Sequence, residues 1–317
     1  MSNVIPIRES DDQALTRAAI AFVATGDFTE STRAKYTGTL DKLIDDTDGD
    51  LPVSKLTFTG LEKHLRSRYG HAAPATYNRH LATIGSFLSW CVDHELAATN
   101  PAERIKRRKP RTTTEAEKQA RPIPWSEIDA LIRDTSIPIR DRCYWAMLYD
   151  TAARADEILS LNVEDLDLAN KEAIVRAKGG NAETIYWSSL TARLLPRVLN
   201  KPVLRGGKRA SGPLFLTSRR PPATRVPATV DLCPATGHAR LSYRRAEEIF
   251  VKNSRGKTLH QLRHAALTHL AEKGEDMATL KAKSRHKSLR SLERYVNPGH
   301  QALRELTDRN DPNRRRK

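Results

Sequence analysis

The chain has few of the features that mark a membrane, secreted or metal-binding protein. Its three cysteines, Cys91, Cys143 and Cys233, lie far apart and form no Cys-x-x-Cys pair. This pattern argues against a disulfide framework or a zinc site and favours a reducing compartment. There is no run of about 18 apolar residues, no apolar signal-peptide segment at the N-terminus, and no His-Glu-x-x-His motif. We therefore expect a cytoplasmic protein with no membrane span and no metal site.

Positive charge is the main excess in the composition. The 317 residues include 54 lysines and arginines against 38 aspartates and glutamates, which is a formal net charge of +16. A balance of this sign and size favours a polyanionic partner, either nucleic acid or an acidic membrane surface. On composition alone, a charge that only keeps the protein in solution is the alternative.

The N-terminal third has the hydrophobic periodicity of short helices. Amphipathic stripes predict one helix over residues 36–44 and another over residues 77–91. Between them, Thr59–Glu62 has a capping-box pattern that predicts the start of a further helix. A basic segment with almost no apolar residues, Arg104–Arg121, follows this helical unit. It has the composition of a linker, and its basic half could lie along a phosphate backbone; an ordinary solvated linker is the alternative.

The hydrophobic period changes within the second half of the chain. A capping-box pattern at Ser126–Asp129 predicts a helix that reaches Arg133, and a more apolar helix is predicted over residues 139–152. Short strands with a hairpin turn at 178–181 are predicted at residues 163–166, 173–176 and 184–187. Predicted helices resume near residues 190, 241, 258, 277 and 289, with a surface loop over 205–226.

The last third carries the clearest chemical pattern. His260, Arg263 and His264 fall on one face of a helix, because residues three and four apart are neighbours there. His286 and Tyr295 follow. A tyrosine hydroxyl among cations is poorly suited to a core and well suited to attack a phosphate. A core or interface tyrosine is the alternative.

This pattern resembles the tyrosine recombinases, the phage integrase family, of the Xer-like or simple integrase type. The family's C-terminal signature is His-x-x-Arg, then His or Trp, then the nucleophilic tyrosine. It matches His260, Arg263, His286 and Tyr295 in order.

Two further family positions lie upstream of this signature. The family's earlier arginine, near the end of a helix, matches Arg154, and its β-turn lysine matches Lys178. The sequence departs from the family at Ser284-Arg285-His286, where Leu-Gly-His is usual.

The resemblance implies an α+β fold of two domains. A small all-α, SAM-like core-binding domain would precede a mainly helical catalytic domain with a small three-stranded antiparallel sheet, and together they would form a C-shaped DNA clamp. The expected divisions are an N-terminal extension at 1–14, the core-binding domain at 15–107, a basic linker at 108–121, the catalytic domain at 122–297 and a C-terminal tail at 298–317.

The resemblance also implies roles in cleaving a phosphodiester. Arg154 and Arg263 would neutralise the non-bridging oxygens, because a guanidinium presents a rigid fork that fits a phosphate. For Arg154, an ordinary ion pair with Asp156 or Glu157 is the alternative. Tyr295 would form a 3′-phosphotyrosyl link, which stores the bond energy so that rejoining needs no ATP, metal or other cofactor.

The other matching residues would move or hold protons. Lys178 would protonate the leaving 5′ oxygen, with Lys171 as a nearby competitor. His260 would act as a base or as a hydrogen-bond partner of the phosphate, and His286 would donate a hydrogen bond to a non-bridging oxygen. Supporting residues behind the site would be Glu157, which orients Arg154, and His264.

The partner implied by the resemblance is a double-stranded DNA recombination site. Recombination of two duplexes needs four active sites, so a homotetramer on DNA is expected. An accessory DNA-bending or directionality factor is a possible further partner. The protein would then be cytoplasmic and nucleoid-associated. A type IB topoisomerase-like activity and a non-catalytic regulatory DNA-binding protein on the same scaffold are the alternatives. Candidate DNA contacts outside the catalytic positions are Arg79, Lys106, Arg107, Arg108, Lys109 and Arg111.

Overall fold

The computed structural model describes residues 14–109, 122–176, 182–200 and 209–285, together with residues 288, 292, 307 and 308. The chain divides into two units, Met1–Ala116 and Glu117–Lys317. Within the described ranges, no helix combines the length and the apolar character needed to cross a membrane.

The N-terminal unit is built from helices joined by short turns. Its helices are α1 (Leu15–Thr25), α2 (Glu30–Asp46), α3 (Phe58–Tyr69) and α4 (Pro74–Asp93). The predicted helices over 36–44 and 77–91 are confirmed as parts of α2 and α4. The predicted start at Thr59 is wrong: Thr57 is the N-cap of α3, and its hydroxyl accepts the Gly60 backbone N–H at 3.1 Å.

Apolar faces of these helices meet in one core. Phe22 lies at its centre, and its ring contacts Phe28, Phe87 and Trp90 at centroid distances of 5.3, 5.6 and 5.8 Å. A polar cluster lies beside this core, where buried His80 stacks on Tyr69 at 3.9 Å. These contacts explain why α1–α4 form a unit with its own interior.

The C-terminal unit is organised around one buried helix. Its helices are α5 (Trp125–Arg133), α6 (Ile139–Thr151), α7 (Ala155–Ser160), α8 (Ser189–Leu199), α9 (Tyr243–Asn253), α10 (Leu259–Glu272) and α11 (Met277–Ser284). Helix α6 is buried almost all round and packs against α8, α9 and α10, with its Trp145 ring 5.2 Å from that of Phe250 on α9. The predicted cap at Ser126 is wrong, because α5 begins at Trp125 with Pro124 as N-cap.

A three-stranded antiparallel sheet completes this unit. The strands are β1 (Leu166–Asp167), β2 (Glu172–Arg176) and β3 (Ala182–Tyr186), in the order β1-β2-β3. Ala173 pairs with Leu166 on one side and Ile185 on the other, and the alternate residues of β2 face the core. The α+β prediction is confirmed by this sheet among helices.

The predicted first strand is only partly right. Val163–Asp165 forms a 3-10 turn, and only Leu166 of the predicted 163–166 segment is in a strand. The reason is local: the Asp165 carboxylate accepts the backbone N–H of Asn162 at 2.7 Å. This side-chain hydrogen bond holds the backbone in a turn, and an extended strand at these residues would break the hydrogen bond.

Candidate active site

Arg154 lies in the tight turn between α6 and α7. Helix α6 ends with Ala152 in the left-handed conformation, with φ 48°, and Arg154 is the N-cap residue of α7. The Arg154 backbone N–H donates to Oε2 of Glu157 at 2.9 Å, and its Nη1 donates to Oε1 at 2.6 Å. The Arg154 side chain is still 41% exposed, while that of Glu157 is 5% exposed. Glu157 therefore holds one edge of the Arg154 guanidinium, while much of the Arg154 side chain is exposed to solvent.

Glu157 is ionised in this setting. Burial raises the pKa of its carboxyl, but hydrogen bonds from the Arg154 backbone, the Arg285 side chain and the Arg154 side chain outweigh burial and leave that pKa below its usual value. A charged carboxylate can hold two guanidinium groups at once. The contact of Arg154 with Glu157 is thus the ion pair that the sequence allowed, and the orienting role that the resemblance implies for Glu157 stays a prediction.

Arg263 joins two helix ends that are far apart in sequence. It lies in α10, is 4% exposed, and donates from Nη1 to the Ala152 carbonyl at 2.5 Å and from Nη2 to the Ser284 carbonyl at 2.7 Å. Ala152 is two residues before Arg154, and Ser284 ends α11. The buried guanidinium therefore brings the Arg154 turn and the end of α11 to one place.

The two histidines of the predicted motif lie on the same helix as Arg263. Thr258 caps α10, with its hydroxyl accepting the Gln261 N–H at 3.2 Å, so His260 lies in the first helical turn. His260 is exposed, and His264 is half-buried, with Nδ1 3.4 Å from the Thr268 hydroxyl. The structure thus places His260 on the solvent side of the helix turn that precedes Arg263.

The end of α11 carries a cation that the sequence-based interpretation did not assign to the site. Arg285, in the position where the family usually has glycine, is left-handed, with φ 55° and ψ 39°. Its Nη2 donates to Oε2 of Glu157 at 2.7 Å, and its Nε is 3.2 Å from Oε2 of Glu183 on β3. The sequence shows an arginine where the family usually has glycine. It does not indicate the partner of that arginine, because Glu157 lies 128 residues away.

Three of the predicted catalytic positions can be placed, and three cannot. Arg154, His260 and Arg263 belong to the described chain, whereas Lys178, His286 and Tyr295 lie outside the described residues. The competing Lys171 is exposed and left-handed, with φ 58°, in the turn between β1 and β2.

The candidate DNA contacts of the N-terminal unit differ in their surroundings. Arg79, Lys106, Arg107 and Lys109 are exposed, and Arg111 lies outside the described residues. Arg108 is half-buried and engaged within its own unit. Its guanidinium lies 3.8 Å from the ring centre of Tyr77 and donates to the carbonyls of Tyr69 and Gly70 at 3.2 and 2.8 Å. Arg108 therefore fastens the chain to α3 and α4.

The described parts of the chain contain no group of three or more His, Cys, Asp or Glu side chains arranged to hold a metal ion. The charged groups gathered around Glu157 there are guanidinium groups, which stabilise anions without a metal.

Comparison with known proteins identifies the family of the C-terminal unit. Residues 125–301 match the model of the phage integrase family. Tyrosine recombinase XerC of Mycobacterium sp. (strain JLS) is 26% identical over 89% of this chain and 93% of its own length. Tyrosine recombinase XerC of Chlamydia trachomatis serovar L2 is 26% identical over 76% of this chain and 73% of its own length.

Solved structures of low sequence identity share the fold. The Tn1549 transposon integrase, in complex with circular intermediate DNA, superposes with a TM-score of 0.71 at 15% identity, covering 93% of this chain and 99% of that one. Lambda integrase (residues 75–356) bound to DNA gives a TM-score of 0.66 at 14% identity, covering 91% and 98%. With the family model matching more than half of its length, the chain belongs to the phage integrase family and is a tyrosine site-specific recombinase.

Proposed function

We propose that this recombinase binds a specific double-stranded DNA site and cleaves and rejoins it through a 3′-phosphotyrosyl link to Tyr295, without metal or ATP. The observation that carries the proposal is the convergence of the Arg154 turn, Arg263 and the end of α11, from which His286 follows directly in the sequence. Two elements bearing guanidinium groups thus meet at the end of α11, from which the sequence continues to His286 and Tyr295.

The arginines supply charge where the transition state needs it. In-line attack on a phosphodiester builds negative charge on the non-bridging oxygens, and a preorganised donor aimed at such charge is commonly worth about 10²–10³ in rate. Arg154 is suited to this contact because Glu157 fixes one edge of its guanidinium and leaves the side chain 41% exposed. Arg263 holds the Arg154 turn to the end of α11. In this proposal, its positive charge also stabilises the phosphate.

The remaining roles are proton transfers. A tyrosine hydroxyl has a pKa near ~10 and needs cationic surroundings or a base to attack at neutral pH. His260, exposed on the first turn of α10, is the described group best placed to serve as that base or to bind the phosphate. In this proposal His286 donates a hydrogen bond to the phosphate, Lys178 protonates the leaving 5′ oxygen, and His264 supports the site from the next turn of α10.

The substrate and assembly follow from this chemistry. A net charge of +16 favours a polyanion, and exposed Arg79, Lys106, Arg107 and Lys109 offer phosphate contacts on the N-terminal unit. Exchange of strands between two duplexes cuts four strands, so four protomers would assemble on DNA, where an accessory DNA-bending or directionality factor could assist. The recombinase would act in the nucleoid.

Covalent capture tests the proposal. Full-length protein is incubated in EDTA with nicked genomic fragments, and DNA that stays attached to protein in SDS is sequenced to reveal the site. We expect a covalent adduct with wild-type protein, and no adduct with Tyr295→Phe, which keeps the ring and loses the nucleophilic oxygen. DNA binding in a gel-shift assay should persist in the variant.

The outcomes separate the alternatives. An adduct that survives Tyr295→Phe would assign the nucleophile elsewhere. Sequence-specific binding with no adduct at all would favour a regulatory DNA-binding protein on this scaffold. An adduct with relaxation of supercoils but no strand exchange between two captured sites would favour a topoisomerase-like activity.

A further inference from the structure

The C-terminal turn of α11 is attached to the rest of the unit by three consecutive residues. Lys283 Nζ donates to the Tyr186 carbonyl at the end of β3, at 3.1 Å. The Ser284 carbonyl accepts from Arg263 at 2.7 Å, and Arg285 reaches Glu157 at 2.7 Å. This one turn is therefore tied to the sheet, to α10 and to α7.

The Arg285 guanidinium is almost fully buried in this attachment. Its side chain is 6% exposed, against 5% for Glu157 and 36% for Glu183, so its charge faces carboxylates and little solvent. The Nε of Arg285 and Oε2 of Glu183 make no well-directed hydrogen bond at 3.2 Å, so that contact is an ion pair. The contact with Glu157 is the directed one, and it is made by Nη2.

Glu157 is shared between Arg285 and Arg154. Its Oε1 accepts from Arg154 Nη1, while its Oε2 accepts from both the Arg154 backbone and Arg285 Nη2. With both oxygens occupied, the carboxylate cannot rotate without breaking a charged hydrogen bond. The orientation of the Arg154 guanidinium therefore depends on a contact made by Arg285.

We propose that Arg285 is a positioning residue of this recombinase, which holds Glu157 and through it sets the Arg154 guanidinium for the scissile phosphate. The inference rests on the proposed function. Arg285 does not touch the phosphate in this scheme, because its guanidinium is paired with Glu157 and Glu183. It acts by holding Oε2 of Glu157, while the Arg154 guanidinium binds Oε1.

The backbone at this position supports the assignment. A left-handed φ of 55° is unfavourable for arginine and costs glycine nothing. Glycine would therefore be the easier residue here if the backbone turn alone mattered. The arginine side chain makes contacts that a glycine lacks, and one of them binds Glu157, the carboxylate that holds Arg154.

The test compares three variants of the full chain. Arg285→Gly removes the guanidinium and relaxes the backbone, and Arg285→Lys keeps the charge but cannot reach both carboxylates with a planar fork. Arg255→Gly is the matched control, because Arg255 is also a left-handed arginine after a helix, with φ 55°, but is exposed. Each variant is assayed for adduct formation on a nicked duplex captured by the wild-type protein.

We expect Arg285→Gly to lower the cleavage rate by about tenfold to a hundredfold at unchanged DNA affinity, since misplacing a reacting group by ~1 Å can cost about a hundredfold. Arg285→Lys should recover part of the rate, and Arg255→Gly should match the wild type. The loss in Arg285→Gly should also grow as the pH falls. Glu157 then keeps only Arg154 as a cationic partner, with Asp156 beside it, and takes up a proton more readily.

A DNA-free measurement separates this inference from the proposed function. Hydrogen exchange of the Arg154 amide, which is bonded to Glu157, should speed up roughly tenfold in Arg285→Gly and stay unchanged in Arg255→Gly. Unchanged exchange, or a cleavage rate in Arg285→Gly equal to that of the wild type, would overturn the positioning role. A loss of rate that is equal at all pH values would also overturn it and leave a packing role. Absence of any wild-type adduct would count against the proposed function, and the exchange result would still decide whether Arg285 holds Glu157.

Discussion

Replacing Arg263 by lysine tests whether this guanidinium holds two helix ends together, in addition to its proposed role in cleavage. Lysine keeps the positive charge and most of the side-chain length, but a single ammonium replaces the planar fork. The fork donates to the carbonyls of Ala152 and Ser284, which belong to different helix ends. One ammonium cannot span both acceptors, so at least one buried carbonyl loses its charged donor.

The expected loss follows from these two bonds. A hydrogen bond from a charged group contributes about 1.5–3 kcal/mol, and a buried group left unpaired costs a similar amount. Losing one of the two should lower the free energy of unfolding of the C-terminal unit by roughly 1.5–3 kcal/mol. For a unit of about 200 residues, that corresponds to a fall in Tm of about 3–12 °C.

Arg154→Lys provides the comparison. The Arg154 side chain is 41% exposed and its Nη1 bond to Glu157 can be replaced by an ammonium, so stability should change by less than about 1 kcal/mol. Both variants should be defective in cleavage, because both lose the bidentate fork. Only Arg263→Lys should also be unstable.

Tryptophan fluorescence during thermal unfolding is a suitable assay. The C-terminal unit holds Trp125, Trp145 and Trp187, and the N-terminal unit holds Trp90, so most of the signal reports the catalytic unit. Buried Trp145 and Trp187 should shift strongly on unfolding. If Arg263→Lys melts within about 1 °C of the wild type, its guanidinium does not join the two helix ends and the reasoning fails.

Three further predictions concern the N-terminal unit. Lys106→Ala combined with Lys109→Ala should leave stability unchanged and reduce the slope of log affinity against log salt by roughly 0.9 for each phosphate that these lysines neutralise in the wild type; an unchanged slope in DNA titrations would show that they bind no phosphate. Arg108→Ala should lower the free energy of unfolding by about 1–3 kcal/mol in denaturant melts, because it removes a cation–π contact and two hydrogen bonds to carbonyls, and wild-type stability would refute this. Burial first, then the charge of neighbouring Arg79, lowers the pKa of His80 to about 4, so an NMR titration should find its midpoint far below 6.5. The unfolded chain then binds this proton at a higher pH than the folded chain, so the His80 contribution to stability is full above about 6.5 and is lost as the pH falls towards 4; a midpoint near 6.5 would contradict this.

Much of the architecture could be derived from local pattern. Periods of 3.6 and two residues predicted α2, α4 and the later strands, because the side chains on one face of an element must share a core. The apolar composition of residues 139–152 predicted α6. Local pattern was less reliable at element ends. Thr57 and Pro124 precede α3 and α5, whereas Thr59 and Ser126 were predicted as caps. Several residues near a helix start can accept the first N–H groups, and the packing of the helix decides among them.

The sequence by itself indicated the family, and it predicted the order of the catalytic residues and the sign of the charge that meets DNA. The tertiary structure alone decided how these residues depend on one another. Arg263 meets Ala152 across 111 positions, and Arg285 meets Glu157 across 128. No periodicity in the chain encodes such a contact, because periodicity reports which face of an element is buried and not what lies against it. The arginine in place of glycine therefore read as a departure in the sequence, and only the folded chain shows it bonded to the carboxylate that holds Arg154.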